Sequence, residues 1–331
     1  MENKRVVLAS RPAGWVTESN FRIETVPVPS PKDGEVLVKI QWLSLDPYMR
    51  GRMNDTKSYA AKQEIDAVMV GGTAGEVVES KNPKFKAGDK VSGMFGWQQY
   101  GLSDGTGLNK IDASRAPMSA FLGVLGMPGV TAWVGLLDIC QPKAGETVVV
   151  SAASGAVGSV VGQIAKLKGA RAVGIAGGKA KCDYVVNELG FDACIDYKAG
   201  RLNDDLRAAA PQGIDCYFEN VGGEILDAVL KQMNAFSRIA VCGLISQYNA
   251  TEPYGVKTFQ SILTNRIKVQ GFIVSDRMEL WAKALPELIG WVAAGKIKYR
   301  ETVAHGLENA PKAFIGLLKG ENFGKQLVKL A

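Results

Sequence analysis

The chain of 331 residues is long enough for two domains, each with its own apolar core. Hydrophobic residues make up 47% of it and charged residues 22%, a composition typical of a globular protein and not of a low-complexity chain. The formal charge of +6 is spread out, with no Lys/Arg run longer than two residues, so the charge pattern does not indicate a nucleic-acid partner.

The N-terminus lacks the apolar core of a signal peptide, and no apolar stretch approaches the roughly 18 residues of a membrane helix. We therefore expect a cytoplasmic protein with no membrane partner. The five cysteines are scattered and never in C-x-x-C spacing, and the one histidine is His305. This pattern predicts neither a disulfide framework nor a metal site. Cys194, Cys216 and Cys242 lie in apolar runs and are expected to be small buried hydrophobic residues.

Residues 1 to about 120 read as short strands and turns, among them Val36–Ile40, Gly75–Glu79 and Phe85–Gly93. Regular turn signals without long helical periods predict a β-rich, barrel-like domain. Within it, Asp46 precedes Pro47 and is expected in an extended turn next to Tyr48. The same residues also fit a helix start, with Asp46 as the N-cap and Pro47 as the first helical residue.

An apolar, helix-like stretch from Met118 to Leu137, interrupted at residues 126–129, leads to the most informative segment of the chain. There a β-branched run, Thr147–Ser151, meets small residues and then an apolar stripe with helical spacing up to Lys168. This strand, glycine turn and helix are typical of a dinucleotide-binding fold, in which a pyrophosphate lies at the helix N-terminus. Ala153 replaces the first glycine of the G-x-G-x-x-G pattern, and Gly155 and Gly158 hold the other two places.

Strands and helices alternate after this turn, which predicts βαβ units and a parallel sheet. Ligands of such sheets bind beyond the carboxyl ends of the strands. The predicted strands are 170–176, 193–197, 214–219, 238–242 and 267–274. The residues expected at that edge are Gly155, Lys181, Tyr197, Asn220, Gly243, Ser246 and Phe272. A helix at 278–294 follows, and we expect the remainder to return to the N-terminal domain.

The end of strand 170–176 distinguishes between the two nicotinamide cofactors. An NAD site places an acidic residue there for the ribose 2′-hydroxyl, but this chain has two glycines followed by Lys179 and Lys181. Small residues and cations suit a 2′-phosphate, so we expect NADP(H). The alternative is that both lysines are solvated residues at a helix start.

Six motifs taken together resemble the zinc-independent members of the medium-chain dehydrogenase/reductase superfamily. The similar groups are the prostaglandin/leukotriene B4 reductases, the plant alkenal double-bond reductases and the bacterial curcumin reductases. The motifs are Leu45–Arg50, Gly126–Ala132, Gly155–Gln163, Asn220–Gly223, Cys242–Asn249 and Gly271–Val274.

The resemblance implies an α/β fold in which a Rossmann doubly wound parallel sheet is inserted into a β-rich, GroES-like catalytic domain. Residues 1–123 plus 297–331 would form the catalytic domain and 124–296 the NADP-binding domain. It implies a homodimer as well. The cofactor contacts it implies are Met127, Thr131, Gly155, Ala156, Val157, Gly158, Lys181, Tyr197, Asn220, Cys242, Gly243, Leu244, Ile245, Ser246, Tyr248, Phe272, Ile273, Val274 and Asn322.

The implied reaction is NADPH-dependent reduction of a C=C bond conjugated to a carbonyl, with hydride to the β-carbon and a proton to the α-carbon. Negative charge that develops on the carbonyl oxygen needs a donor. The resemblance favours Tyr248, with the cofactor's ribose hydroxyl as a rival, and Tyr48 and Tyr59 as pocket residues. Two alternatives stay open at this point: an NADPH quinone oxidoreductase, and a non-enzymatic NADPH-binding protein with a structural or RNA-binding role.

Overall fold

The computed structural model describes residues 1–330 and begins with short strands separated by turns, as the sequence predicts. The strands are β1 (Glu2–Leu8), β2 (Phe21–Pro27), β3 (Val36–Ser44), β4 (Thr73–Ser80), β5 (Lys90–Gly93), β6 (Tyr100–Ser103) and β7 (Asn109–Lys110). One short helix, α1 (Tyr48–Arg52), lies between β3 and β4.

The middle of the chain alternates between strand and helix. Its elements are α2 (Met127–Trp133), β8 (Thr147–Ser151), α3 (Gly158–Leu167), β9 (Arg171–Ala176), α4 (Lys179–Asn187), β10 (Ala193–Asp196), α5 (Leu202–Ala209), β11 (Ile214–Glu219), α6 (Gly223–Leu230), β12 (Met233–Val241), α7 (Gln260–Thr264), β13 (Lys268–Gly271) and α8 (Met278–Ala293). Three elements then follow: β14 (Glu301–His305), α9 (Ala310–Leu318) and β15 (Lys325–Lys329).

The six strands β8 to β13 form one parallel sheet in the order β10-β9-β8-β11-β12-β13. The chain runs outward from β8 to β10 and then returns to place β11 beside β8 on its other side. The point where strand order reverses is therefore the gap between β8 and β11, and such a switch point opens a crevice at the carboxyl ends of the strands. The α/β class and the parallel sheet are confirmed.

The C-terminal segment completes the N-terminal sheet. Strand β15 pairs antiparallel with β3, with Leu327 opposite Ser44, and pairs in parallel with β14 on its other side. The seven-stranded sheet that results runs β14-β15-β3-β4-β5-β7, with β6 also paired to β3. Helix α9 supplies Phe314, which is fully buried and packs edge-on against the ring of Trp97 at 5.7 Å. The predicted return of the chain end is confirmed.

These contacts divide the chain into two units. One contains Met1–Gly123 together with the segment from Glu301 onward, and the other is the continuous stretch Val124–Arg300. Within residues 1–330, no helix combines the length and the apolar character needed to cross a bilayer.

The sequence interpretation of residues 126–129 was wrong. These residues do not interrupt a helix: Gly126 caps α2, and Pro128 lies in its first turn, where a missing N–H costs nothing. The helix then continues in a wider, π-type winding over Val134–Cys140. Met118–Leu122, by contrast, is a separate short 3-10 turn.

Candidate cofactor and active site

The turn between β8 and α3 brings backbone close to backbone. Ala152 is left-handed, with a φ of 51°, and its carbonyl oxygen accepts a hydrogen bond from the Gly155 N–H at 2.9 Å. A Cβ at position 158 would lie only 2.4 Å from the same oxygen, so Gly158 is required there. The ten-residue helix α3 begins at this point. Its first N–H groups and the positive end of its dipole therefore suit the pyrophosphate of a dinucleotide.

A buried carboxyl group joins β8 to β11 at the switch point. The Oε1 atom of Glu219 accepts hydrogen bonds from Ser151 Oγ and from the Tyr217 hydroxyl, both at 2.9 Å. The same oxygen accepts the Val221 N–H at 2.6 Å. Asn220 is held in turn by Ser151, because its N–H donates to Ser151 Oγ and its Nδ2 to the Ser151 carbonyl, each at 2.8 Å. The network fixes Asn220 at the edge of the crevice.

The second oxygen of Glu219, Oε2, is buried and has no hydrogen-bond partner among the described residues. Burial raises the pKa of Glu219, and the hydrogen-bond donors around the carboxyl group offset this effect only in part. The nearby Cys242 thiol has a pKa raised to about 12 by burial and by the Glu219 charge. Burial therefore favours the neutral form of this carboxyl group over the charged form.

Cationic side chains gather where β9 and β10 end. Lys181, on α4, is partly buried, and both burial and the neighbouring Lys198 lower its pKa. The Lys198 ammonium also lies 5.9 Å from the centre of the Tyr197 ring. The carboxylate of Asp196 accepts the N–H groups of Gly178 at 2.7 Å and Lys198 at 3.0 Å, and so stabilises the turn. Two lysines that repel one another suit a phosphate between them.

Lys179 differs from Lys181 although only one residue separates them. Its ammonium is paired with Asp183 one helical turn along α4, at 2.6 Å, and its side chain is 85% exposed. Such exposed pairs contribute little to stability. The interpretation of a solvated residue at a helix start therefore fits Lys179.

The loop after β12 brings a tyrosine hydroxyl onto the same edge. The N–H groups of Cys242 and Gly243 donate to the Glu219 carbonyl at 2.9 and 3.2 Å. Farther along, the Tyr248 hydroxyl accepts the Leu244 N–H at 3.2 Å. A Cβ on Gly243 would lie 3.0 Å from that hydroxyl, so the tyrosine packs directly on the Gly243 backbone. The Tyr248 hydroxyl therefore lies beside the end of β12.

An aromatic pair closes the far end of the sheet. The Phe272 N–H donates to the Val241 carbonyl at 3.3 Å, and its ring meets Phe218 edge-on with centroids 6.1 Å apart. The carbonyl of Val274 accepts the indole N–H of Trp281 at 3.2 Å. These contacts hold the chain after β13 in place by packing against β11 and α8.

Most of the predicted site residues lie along this edge, and their roles stay predictions. Met127 and Thr131 lie on α2, where the Thr131 hydroxyl donates to the Met127 carbonyl at 2.7 Å. The other predicted cofactor contacts of the Val124–Arg300 unit lie after the carboxyl ends of the strands: Gly155, Ala156, Val157, Gly158, Lys181, Tyr197, Asn220, Cys242, Gly243, Leu244, Ile245, Ser246, Tyr248, Phe272, Ile273 and Val274.

The other unit contains a buried ion pair at the end of β3. The Lys325 ammonium donates to Asp46 Oδ1 at 2.7 Å and to the Leu45 carbonyl at 2.6 Å. Ser44 Oγ donates to the second oxygen of Asp46. The predicted helix-capping role of Asp46 was wrong: α1 begins after Pro47 without a side-chain cap, because the Asp46 carboxylate is bound by Ser44 and Lys325 instead.

The remaining predicted residues lie near this ion pair or on loops of the same unit. Tyr48 opens α1, and burial and the Asp46 charge raise its pKa. Tyr59 is 60% exposed on the loop that follows. Asn322 donates from Nδ2 to the Gly324 carbonyl at 2.8 Å, just before β15.

No cluster of three or more His, Cys, Asp or Glu side chains suited to a metal ion occurs in the part of the chain that the structure describes. Of the cysteines, Cys216 is fully buried as expected. Cys194 and Cys242 are only partly buried, so the expectation was too strong for these two.

Sequence reasoning missed Ser151, Glu219 and Lys325. A signal existed for Glu219, since a carboxylate ends β11 directly after the apolar run Cys216, Tyr217 and Phe218. Lys325 gave a weaker signal, because β15 also contains Gln326 and a second lysine, Lys329. Neither pattern indicates the partner of the charged group.

Two family models match the chain. One is described as the N-terminal domain of oxidoreductase and matches residues 4–111, and the other is described as zinc-binding dehydrogenase and matches residues 156–292.

Full-length relatives are also evident. The chain is 52% identical to the NADPH-dependent curcumin reductase of Escherichia coli, covering 99% of this chain and 97% of that one. It is 45% identical to the NADP(+)-dependent 2-alkenal reductase of Nicotiana tabacum, covering 100% and 98%. The solved structure of CurA from Vibrio vulnificus in complex with NADPH superimposes with a TM-score of 0.94 at 50% identity, covering 99% of each chain.

The raised pKa of Glu219 leads to a test of stability against pH. Because the folded protein holds this proton more tightly than the unfolded chain, stability is lost as pH rises from about 4.5 through the folded pKa. Each unit by which the folded pKa exceeds the unfolded one corresponds to about 1.4 kcal/mol. Glu219→Gln keeps the shape without this ionisation. The free energy of unfolding of this variant, measured in urea, should therefore increase relative to that of the wild type as the pH rises from 5 to 8.

Glu79→Gln removes an exposed carboxyl from β4 and is the matched control for this experiment. A difference between Glu219→Gln and wild type that does not change with pH would contradict a raised pKa of Glu219.

Proposed function

Because the chain belongs to the medium-chain dehydrogenase/reductase superfamily, we propose that it is an NADPH-dependent reductase of α,β-unsaturated carbonyl compounds. The observation that carries the proposal is full-length identity of 45–52% to reductases named for curcumin and for 2-alkenals. The solved relative that binds NADPH supports the same cofactor here. Bound NADPH would supply a hydride to the β-carbon of the substrate.

The residues at the carboxyl edge fit this cofactor. Gly158 lets the turn close against the Ala152 carbonyl oxygen, so that α3 begins just after the carboxyl end of β8, and a helix N-terminus suits a pyrophosphate. Lys181 and Lys198 offer positive charge for a 2′-phosphate, and the carboxylate of Asp196 already accepts two N–H groups of its own turn. Asn220 is fixed at the carboxyl end of β11 by Ser151.

Tyr248 is the residue we propose for the substrate's carbonyl oxygen. A preorganised hydrogen bond to an oxygen on which charge develops is commonly the largest catalytic contribution. The Tyr248 hydroxyl accepts the Leu244 N–H, and a hydroxyl that accepts a hydrogen bond becomes a stronger donor. We propose that Tyr48 and Tyr59 shape the substrate pocket and that Asn322 contributes to cofactor binding.

The phosphate assignment predicts a selective defect in Lys181→Ala. Losing one hydrogen bond to a charged group costs about 1.5–3 kcal/mol, so the Kd for NADPH should rise by roughly 10- to 100-fold. The Kd for NADH should change little, because NADH lacks the 2′-phosphate. Cofactor fluorescence titration measures both values, and equal losses would refute the assignment. Lys179→Ala removes the exposed neighbour and should leave the ratio of the two constants unchanged.

The catalytic assignment predicts a turnover defect in Tyr248→Phe. Because the variant loses one hydrogen-bond donor, kcat on a simple enone should fall by roughly 10- to 1,000-fold while NADPH binding is retained. Absorbance of NADPH during turnover gives the rate, and Tyr100→Phe, on β6, is the control. Near-normal turnover would remove Tyr248 from the mechanism. Wild-type oxidation of NADPH by a quinone but by no enone would assign the quinone reductase activity instead.

We further propose that the protein forms a homodimer through the free edge of the parallel sheet. Strand β13 ends that sheet, and Val269 on it is 44% exposed. Helix α7 and the residue before it add two large exposed side chains, Leu263 at 79% and Phe259 at 67%. An exposed strand edge with apolar neighbours favours pairing with another chain.

Light scattering tests the dimer. The wild type should have twice the mass of one chain, and Leu263→Glu, which puts a charge into the apolar surface, should shift the mass toward the monomer. A wild type that is monomeric at micromolar concentration would contradict the proposal.

A further inference from the structure

The loop that follows Tyr248 is anchored at a distance from the site. We define the Tyr248 loop as residues 249–257, which connect Tyr248 to the region of α7. Residues 250–253 of this loop are exposed and belong to no helix or strand. Tyr248 itself follows a single 3-10 turn, Ile245–Gln247. A turn of three residues has little stability of its own, so the position of Tyr248 depends on what holds the loop.

One carboxylate holds the far end of the Tyr248 loop. Asp227, on α6, is only 6% exposed and accepts the Tyr254 hydroxyl at 2.7 Å. It also accepts the N–H groups of Lys257 at 3.0 Å and Thr258 at 2.9 Å, and the Thr258 hydroxyl at 2.6 Å. These donors lower the pKa of Asp227 in spite of its burial. Four donors from three residues therefore converge on one ionised side chain.

A second tie links this anchor back to the candidate site. The Tyr254 N–H donates to Gln247 Oε1 at 2.9 Å, and Gln247 Nε2 donates to Ser246 Oγ at 2.9 Å. Ser246 Oγ donates to the Val221 carbonyl at 2.6 Å. Val221 is the residue whose N–H binds the buried Glu219 carboxyl. A continuous chain of hydrogen bonds thus runs from Asp227 through Tyr254 to the residues around the end of β11.

We propose that Asp227 and Tyr254 are positioning residues that hold the Tyr248 loop so that the Tyr248 hydroxyl stays against Gly243. This inference rests on the proposed function, because it assigns the anchor a part in enone reduction. Tyr254 acts through its hydroxyl, which binds Asp227 on α6, and through its N–H, which binds Gln247. Neither residue needs to touch the substrate. The loop anchor sets the rate by fixing the orientation of Tyr248.

Two variants and one matched control test the proposal. Asp227→Asn replaces an acceptor oxygen by an NH2 group that faces N–H and O–H donors, and Tyr254→Phe removes one donor. Asp215→Asn is the control: Asp215 also accepts a backbone N–H, that of Thr147 at 2.9 Å, but at the opposite, amino-terminal edge of the same sheet. It therefore matches the loss of a structural carboxylate without touching the Tyr248 loop.

Two readouts are combined. Hydrogen exchange with mass spectrometry should show faster exchange over residues 249–258 in Asp227→Asn and Tyr254→Phe. Because a misplacement of about 1 Å can cost 100-fold in rate, kcat on an enone should fall by roughly 10- to 100-fold in Asp227→Asn and less in Tyr254→Phe. The KM for NADPH should change little in either. Asp215→Asn should lower the melting temperature while leaving kcat within about twofold.

The outcomes separate the two proposals. An active wild type with kcat unchanged in both loop variants would overturn the positioning role and leave the proposed function standing. An equal loss of turnover in Asp215→Asn would also overturn the positioning role, since the effect would then come from stability alone. A wild type that reduces no enone would overturn the proposed function, and the positioning role with it.

Discussion

The carboxyl edge of the parallel sheet depends on one buried group, the side chain of Glu219. Its Oε1 atom accepts hydrogen bonds from a hydroxyl on β8, from a hydroxyl on its own strand and from an N–H of the next turn. Its main-chain carbonyl accepts the first two N–H groups after β12. Three neighbouring strand ends are thereby fixed to a single residue at the point where strand order reverses. Breaking one of these hydrogen bonds would leave a buried donor unpaired, which costs more than the bond itself contributes, so the network favours one arrangement.

Charge is distributed along that edge in a way that favours an anionic ligand. The helix dipole of α3 and the side chains of Lys181 and Lys198 supply positive potential. The two nearby carboxyl groups do not oppose it to the same extent. Burial favours the neutral form of Glu219, and Asp196 is bound by two N–H groups of its own turn. Carboxyl groups that would otherwise repel a phosphate instead bind backbone N–H groups and so fix the shape of this edge.

The sequence predicted the parts of the fold that depend on neighbouring residues. The β-branched run before Gly155 and the apolar stripe after it predicted β8 and α3, because strand and helix periods are local properties. The same reasoning was wrong at Pro128, which starts a helix that it was expected to interrupt. It was also wrong about Asp46, since the capping pattern is local but the competing partner, Lys325, is 279 residues away.

The candidate site likewise divides into residues that the sequence could indicate and contacts that only the fold reveals. Glycines, lysines and Tyr248 could be selected because a resemblance assigns them to positions along the chain. The loop anchor could not, because nothing near Asp227 in the sequence indicates that its carboxylate binds Tyr254, 27 residues farther on. Contacts of this kind depend on which helix packs beside which loop. They leave no period, spacing or composition that can be read before the fold is known.

The ion pair between Asp46 and Lys325 has a consequence for biosynthesis. A ribosome makes Asp46 long before its ammonium partner, because 279 residues separate the two along the chain. Strand β3 likewise lacks its pairing partner β15 until that segment has been made. The continuous stretch Val124–Arg300, by contrast, has all its strands as soon as it has been translated. The segment synthesised first therefore completes its core only after the continuous unit has been made, and until β15 has been translated the nascent polypeptide carries a carboxylate without its cation.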